Sequence, residues 1–475
     1  MSENYITGKS SLCVNLLHVS DLHFGIEGKS ENEISYEKHK DERNRVISDL
    51  ISFISNPRRC PENLTPHIFV VSGDIGWKAK ESDYDAFKIA FIDKISSIVD
   101  KKNIIIVPGN HDIIREEVIK SNMGRPSVGC NNDDVSLESN HPSFPNRIKH
   151  YENFANFCKN NSIPPFENKL TKSNNETKEE TSNELFGYLY GYRKIEGIHF
   201  IALNSAWDCR NDNDKGCLRV GFDLYNEAYT CMSDYDNGVV VAVFHHPYYR
   251  DDALVEIDKV HHGDYIWLHK SELAPSTKDE PCFITRLEQE VDIVLNGHVH
   301  NPDKEPQHSL NGNNGLYAFT AGALYTKETY RYSCWLIRIC CDFENGFCMN
   351  ATFSAKKLIY KGDDGWYLEN SGGLSEVQRP RSRKKNEQIL STLISNKLNK
   401  LTTGVKPTLE KEEYKEAAAR NSFVKALLAF VQELLAMLSR IYPPNQNIIG
   451  DFEQRVNEIA NKYYDLSILN LKREE

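Results

Sequence analysis

The chain lacks several features that would assign it to a common class. Its N-terminus has no basic segment followed by a long apolar run, so no signal peptide is predicted. No stretch reaches the roughly 18 uncharged apolar residues that a membrane-spanning helix needs. The best candidate, residues 422–442, is interrupted by Lys425, Glu433 and Arg440. The formal net charge of −11 gives no support to a broad basic surface for nucleic acid. A soluble protein without membrane contact is therefore predicted.

Closely spaced cysteine pairs are also absent. The 12 cysteines are spread from Cys13 to Cys348 without a C-x-x-C pair, and Cys340 and Cys341 are adjacent. Neither a zinc knuckle nor a routine disulfide framework has this spacing. In so long a chain the pattern predicts free thiols in a reducing compartment, so we expect a cytoplasmic location.

Short runs rich in valine and isoleucine recur along the chain, and each ends in a polar or glycine-rich turn. Their length and composition predict buried strands in CVNLLHVSD, IFVVSGD, NIIIVPGNHD, IHFIALNS, VVVAVFHHP and VDIVLNGHVH. Helical patterns, with apolar residues three or four positions apart, lie between them, as in residues 37–56 and 81–100. Strands that alternate with helices predict an α/β core.

The composition divides the 475 residues into three parts. Residues 1–371 are predicted to form one large domain, with polar insertions near 119–146 and 171–184. Residues 372–388 have the composition of a linker. Residues 389–475 are predicted to form a helical C-terminal region.

Candidate metal ligands stand at the ends of five of the predicted strands. Any one of them could be an ordinary turn residue, but all five strands deliver carboxylate, amide or imidazole groups at the end where open α/β sheets place their sites. Oxygen donors mixed with imidazole suit Mn²⁺, Fe or Zn²⁺ rather than a structural thiolate zinc. There are too many such groups for one ion, so two metals are predicted among Asp21, His23, Asp74, Asn110, His111, Asp112, His245, His246, His298 and His300.

The ordered set D-x-H, G-D, G-N-H-D, H-x-P and G-H-x-H closely resembles the calcineurin-like metallophosphoesterase superfamily, over residues from about 14 to 325. The resemblance implies an α/β fold in which a four-layer α/β/β/α sandwich forms the catalytic domain, here residues 1–371. It also implies a dinuclear metal site.

The ligands implied by this resemblance form two sets joined by one carboxylate. One metal would be held by Asp21, His23 and His300, the other by Asn110, His245 and His298, with Asp74 as the bridge. His111 is not a ligand in the family; it would protonate the leaving-group oxygen or stabilise the phosphoryl charge. The family pattern selects His245 in FHHP, which leaves His246 beside the ligands or facing the substrate.

The implied activity is metal-dependent hydrolysis of a phosphoric ester, by attack of a hydroxide that bridges two metals. The segments GDIGWKA and GNHD depart from the G-D-x-x-D-R-G and G-N-H-E of the protein Ser/Thr phosphatases. Trp77 stands where purple acid phosphatases carry a tyrosine ligand. The motifs SDLH, GNHD, HHP and GHxH are similar to those of cyclic-nucleotide phosphodiesterases. We therefore expect a phosphodiesterase that acts on a nucleotide or another small phosphodiester.

Two alternatives to that activity stay open. A DNA-repair nuclease of the same superfamily is the first, because DLHFG matches its opening motif. A protein-binding scaffold without activity is the second, although every expected ligand is present.

The expected cofactors are two divalent ions, with Mn²⁺ preferred and Fe or Zn²⁺ as alternatives. The expected partner is a phosphoester, either a nucleotide or a nucleic acid, with contacts from His246, Tyr248 and Arg250.

Apolar residues fill more of 423–442 than one narrow helical stripe requires, so this segment must bury a broad surface. We therefore expect a homo-oligomer that forms through the C-terminal helices.

Overall fold

The structure is a computed structural model that describes most of the first 380 residues. The described parts are residues 9–26, 33–120, 144–172, 184–207, 209–210, 214–232, 238–247, 267–273, 282–300, 307–309, 316–326, 331–344, 347–369 and 374–380. Among the predictions that fall outside them are Tyr248, Arg250, the greater part of both insertions, and the helical region 389–475.

Strands and helices alternate through the described residues, as the sequence predicts. The strands are β1 (Lys9–Val19), β2 (Ile68–Val71), β3 (Ile104–Ile106), β4 (Gly191–Ile195), β5 (Ile198–Ala202), β6 (Val240–Val243), β7 (Ile293–Asn296), β8 (Gln307–Ser309), β9 (Leu316–Thr320), β10 (Ser333–Glu344), β11 (Phe347–Tyr360), β12 (Trp366–Leu368) and β13 (Leu374–Pro380). The α-helices are Glu33–Ser55, Glu81–Phe87, Asp93–Ile95, Arg115–Lys120, Glu152–Asn160, Lys169–Lys172, Phe222–Thr230, Lys270–Leu273 and Phe283–Glu290. Tighter 3₁₀ turns cover Glu62–Leu64, Lys101–Asn103, Phe144–Tyr151 and Gly362–Asp364, and one π-helical turn covers Lys88–Ile92.

Two β-sheets organise these elements. The first has the strand order β12-β11-β10-β1-β2-β3, with β13 also paired to β11, and the second has the order β4-β5-β6-β7-β9-β8. Strands β1, β2 and β3 are parallel to one another, and so are β5, β6, β7 and β9. Because the C-terminal ends of parallel strands meet at one edge, each sheet gathers at that edge the polar segments that follow its strands.

Alternation along the strands separates two buried clusters. Leu16 of β1 belongs to one cluster with Val241 of β6, so that cluster contains apolar residues of both sheets. The next residue, Leu17, points to the other face and belongs to a second cluster with the helical residue Leu50. The protein is therefore a mixed α/β structure with two sheets and several helices. The four-layer arrangement implied by the family resemblance stays a prediction.

Strand β13 extends the first sheet into the segment predicted to be a linker. Its register on β11 runs from Leu374 opposite Ala355 to Pro380 opposite Asn350. Glycine and charged residues around this segment favour a linker, but an edge strand needs only backbone hydrogen bonds from one neighbour. The sheet thus continues past residue 371, whereas the division of the chain into domains stays a prediction.

The expectation that all the cysteines are free is wrong. Cys13 of β1 and Cys340 of β10 form a disulfide, and Cys217 is disulfide-bonded as well. Antiparallel pairing places Cys13 directly opposite Cys340, with their Cα atoms 4.1 Å apart. The two residues are 327 positions apart in the chain, so their meeting depends on strand register, which the cysteine spacing does not reveal. The cytoplasmic location stays a prediction.

Among the described helices, none is both long enough and apolar enough to span a membrane.

Candidate metal centre

The segments after β1, β2, β3, β6 and β7 meet at one end of the two sheets. Backbone hydrogen bonds join them: the N–H of Leu22 donates to the carbonyl of Asp74 at 2.9 Å, and the N–H of Gly297 donates to the carbonyl of His245 at 2.9 Å. The side chains that the sequence nominates lie in these segments. Buried or half-buried here are Asp21, His23, Asp74, Asn110, His111, His245, His246, His298 and His300.

The first group of donor atoms surrounds the carboxylate of Asp21. Its Oδ1 lies 3.7 Å from Nε2 of His23 and 3.6 Å from Nε2 of His300. This Oδ1 and both ring nitrogens of His23 are buried, and none of the three has a hydrogen-bond partner in the described part of the chain. Burial lowers the pKa of His23 well below its usual value, so its imidazole is neutral and offers a lone pair. Buried, unpaired donors of this kind suit a cation.

The second group of donor atoms surrounds the amide oxygen of Asn110. Its Oδ1 lies 3.1 Å from Nε2 of His245 and 3.1 Å from Nδ1 of His298, and these two nitrogens are 3.2 Å apart. The other ring nitrogen of His245, Nδ1, donates to the carbonyl of Ser72 at 2.8 Å, which turns Nε2 toward the group. Burial opposes protonation of His245, but Asp74 and Asp21 raise its pKa to about 9. A cation at this place would replace that proton.

The carboxylate of Asp74 lies between the two groups. Its Oδ2 is 3.4 Å from Nε2 of His23 and 3.3 Å from Nε2 of His245. Its Oδ1 accepts the backbone N–H of His111 at 2.9 Å. Burial alone would raise the pKa of Asp74, but the charges of His245 and His111 hold it well below its usual value. Asp74 is therefore a charged carboxylate that faces both sets of imidazoles.

The backbone at these positions adopts a conformation that side-chain-bearing residues rarely use. The φ angles are 54° at Asp21, 50° at His23, 55° at Asp74 and 71° at His298. Such a conformation costs free energy and persists where the surrounding structure enforces it, most often at functional sites. Asp74 also lies very close to the backbone of Gly109. A Cβ at position 109 would lie 2.1 Å from Oδ1 of Asp74, so only glycine fits there.

Asp112 holds two of the loops together. Its buried carboxylate accepts backbone N–H groups from Ile75 at 3.2 Å, Gly76 at 2.9 Å and Gly109 at 3.0 Å. Burial and the nearby charge of Asp74 raise the pKa of Asp112 to about 7. The sequence places Asp112 among the candidate ligands, and in the structure its oxygens face backbone donors.

His111 is fixed in place by Trp77. The Nδ1–H of His111 donates to the carbonyl of Trp77 at 3.0 Å, and the indole stacks on the imidazole with ring centroids 4.2 Å apart and planes 15° apart. Because Nδ1 is engaged, Nε2 is the atom that can carry a proton to or from a substrate. In the sequence, Trp77 indicated only that the tyrosine ligand of purple acid phosphatases is missing. Its contact with His111 was not predicted.

The donor set as a whole fits two divalent ions. Four overlapping sets of ligand atoms lie within 4.8 Å of one another among the described residues: those of Asp21, His23 and His300, of Asp21, Asp74 and His245, of His23, Asp74 and His111, and of His245, His246 and His298. The arrangement combines charged oxygen with neutral nitrogen and links the sets through Asp74, which is the chemistry expected of a two-metal hydrolytic centre.

Comparison with known proteins agrees with this geometry. The family model described as calcineurin-like phosphoesterase matches residues 14–302, which is more than half of the chain. The chain belongs to the calcineurin-like phosphoesterase family. The resemblance found in the sequence is thereby confirmed. Members of the family generally bind two divalent metals, and the family indicates a phosphoric ester hydrolase.

Other comparisons add little to this family assignment. No curated protein matches the chain. A conserved uncharacterized protein of Streptococcus pneumoniae TIGR4, a predicted phosphoesterase, is 10% identical, with 78% of this chain and 99% of that chain covered and a TM-score of 0.26. A cold-active protein-tyrosine phosphatase of a Shewanella species is 11% identical, with 75% and 80% covered and a TM-score of 0.23. At TM-scores this low, the similarity to these two structures supports no conclusion about the fold or the activity of this calcineurin-like phosphoesterase.

Two residues near the centre of this phosphoesterase were not predicted. Ser205 follows β5 and hydrogen-bonds the ring of His246. Trp267 packs its indole edge-to-face on His298, with ring centroids 4.1 Å apart. Ser205 could have been found, because IHFIALNS also ends in polar residues at the edge where the ligands lie. No pattern in the sequence marks Trp267.

Proposed function

We propose that the chain is a phosphodiesterase that depends on two divalent metal ions and acts on a nucleotide or another small phosphodiester. The observation that carries this proposal is the position of Asp74, whose Oδ2 lies 3.4 Å from a nitrogen of His23 and 3.3 Å from a nitrogen of His245. A carboxylate held between two groups of ligands is suited to bridge two cations. The preference for a diester rests on the motifs SDLH, GNHD, HHP and GHxH, which are similar to those of cyclic-nucleotide phosphodiesterases.

The assignment of ligands to each metal follows the family pattern, and the distances between the donor atoms support it. Asp21, His23 and His300 would hold one ion, Asn110, His245 and His298 the other, and Asp74 both. The mixture of carboxylate, amide and imidazole favours Mn²⁺, with Fe or Zn²⁺ as alternatives. When bound, two such ions supply a nucleophile from water at neutral pH and offset the charge of the phosphoryl oxygens.

His111 would handle the proton of the leaving group. Its Nδ1 is engaged by the carbonyl of Trp77, so Nε2 is the atom that can hold a proton for the departing oxygen. The stacked indole keeps the imidazole plane fixed, and the backbone N–H of His111 anchors the same residue to Asp74. The proton donor is thus tied directly to the carboxylate proposed as the bridge.

A substrate screen tests the proposed activity. Protein loaded with Mn²⁺ would be assayed on p-nitrophenyl phosphate, bis-p-nitrophenyl phosphate, cyclic nucleotides, and single- and double-stranded DNA and RNA. We expect turnover of bis-p-nitrophenyl phosphate and of at least one nucleotide diester, and its loss in Asp74→Asn. Preferred cleavage of DNA or RNA would instead support the nuclease alternative. No turnover of any substrate by fully metal-loaded protein would favour the scaffold.

We propose further that a second copy of this chain is its protein partner. The apolar segment 423–442 lies outside the described residues, so this proposal rests on sequence. Because β13 extends to Pro380, a protein that ends at residue 384 keeps the described sheets intact. It should retain its metals and its activity on bis-p-nitrophenyl phosphate, and light scattering should show a smaller oligomer than for the full chain. A monomeric full-length protein would show that the C-terminal region serves another purpose.

A further inference from the structure

The imidazole of His246 lies beside the proposed metal ligands without being one of them in the family pattern. Its ring centroid is 4.9 Å from that of His245 and 4.6 Å from that of His298. The side chain is fully buried, and its Nε2 has no hydrogen-bond partner among the residues that the structure describes. A buried ring nitrogen without a partner is costly unless a ligand satisfies it.

The hydrogen bonds of Ser205 decide which nitrogen of His246 carries the proton. The hydroxyl oxygen of Ser205 accepts the backbone N–H of His246 at 3.0 Å and lies 2.9 Å from Nδ1 of the same residue. Both residues are buried, and within the described chain this hydroxyl has no other partner than His246. Its O–H therefore donates to Nδ1, which must be unprotonated, and the proton of the neutral ring resides on Nε2.

We propose that Ser205 is a positioning residue that fixes His246 with its Nε2–H directed at the substrate, where it donates a hydrogen bond to a phosphoryl oxygen. A protonated Nε2 has no lone pair for a metal, so His246 adds a phosphate contact next to His245 and His298 rather than a further ligand. This inference rests on the proposed phosphoesterase site, because that site brings the phosphoryl group to His246. His246, held in place by Ser205, would favour an oxygen anion on the side of the centre where His245 and His298 lie.

Binding of inorganic phosphate to Mn²⁺-loaded protein tests the contact. We expect His246→Ala to keep the wild-type metal content and to weaken phosphate binding, measured by calorimetry, by about 10-fold or more, which is the usual effect of losing one hydrogen bond to a charged group. His246→Gln, which keeps an N–H donor at a similar reach, should recover part of that loss. His67→Gln is the matched control, because His67 is exposed and precedes β2, at the opposite end of that strand from Asp74.

The tautomer itself is visible in ¹⁵N spectra of Zn²⁺-loaded protein labelled at histidine, because Zn²⁺, unlike Mn²⁺, is diamagnetic and leaves the signals of nearby rings sharp. The signal that disappears in His246→Gln should belong, in the wild type, to an Nε2 with a bonded proton. In Ser205→Ala the same signal should move toward a mixture of tautomers, and phosphate binding should weaken by a smaller factor than in His246→Ala. A residue needed only for folding would not move the tautomer. Ser97→Ala, an exposed serine in a helical turn, is the control.

The outcomes separate this inference from the proposed function. If His246→Ala loses metal, or if its phosphate affinity and that of Ser205→Ala equal the wild type, the inference is wrong even when the enzyme hydrolyses phosphodiesters. If the wild type hydrolyses none of the substrates tested but phosphate binding still depends on His246 and Ser205, the activity is wrong and the contact stands.

Discussion

Replacing Asp74 by asparagine is expected to reduce bound metal at both positions and to lower turnover of a phosphodiester by at least about 10³-fold. The oxygen Oδ2 lies within 3.4 Å of ligand nitrogens from both groups, so one substitution weakens both proposed metal sites. Two cations supply several kcal/mol of charge stabilisation to phosphoryl transfer, and this corresponds to a loss of that size. Elemental analysis and rate measurements on the same preparation would report both effects.

The control for this substitution is Asp85→Asn. Asp85 is exposed on the helix Glu81–Phe87, so the same chemical change there should leave metal content and turnover unaltered. The wild-type protein, purified without chelator, should contain close to two equivalents of Mn, Fe or Zn. A wild-type metal content near zero that loading cannot raise would rule out the dinuclear centre. Two full equivalents in Asp74→Asn would rule out the bridge.

The candidate centre could be predicted from sequence because its parts are local to the strand ends. Each ligand segment directly follows a run that is recognisable as a buried strand, and parallel strands bring their C-terminal ends together. Asp21 and Asp74 illustrate this: they follow β1 and β2, which are parallel neighbours, and the N–H of Leu22 donates to the carbonyl of Asp74 at 2.9 Å. Asp21 and His298 follow strands of different sheets, and the N–H of His298 donates to Oδ2 of Asp21 at 2.9 Å; the family resemblance, not parallel pairing, predicted that meeting.

The remainder depends on contacts that no local pattern encodes. The disulfide between Cys13 and Cys340 requires the register of β1 on β10, and the pairing of β13 requires a free edge on β11. The hydrogen bond between Ser205 and His246 joins the segments that follow β5 and β6. The packing of the sheet sets the distance between these two segments. These features follow from how strands align with one another, and hydrophobic periodicity specifies only which face each residue occupies.

The function of His111 is expected to separate from metal binding. In His111→Ala the backbone N–H that donates to Asp74 remains, and the side chain contributes no proposed ligand, so metal content should stay close to that of the wild type. Turnover should fall by about 10²–10⁴-fold, the usual effect of losing a positioned acid–base group. Only the side chain that Trp77 holds in place is removed, so the loss measures the contribution of the His111 imidazole.

A series of aryl phosphodiesters with leaving groups of different pKa distinguishes the two roles open to His111. If Nε2 protonates the leaving oxygen, the loss in His111→Ala should be greatest for the poorest leaving group and should shrink as the leaving-group pKa falls, because a good leaving group departs as an anion without help. An equal loss across the series would assign His111 to stabilisation of phosphoryl charge instead. His67→Ala, the exposed histidine at the other end of β2, should change none of these rates. Loss of metal in His111→Ala would contradict both roles and make His111 part of the metal-binding set.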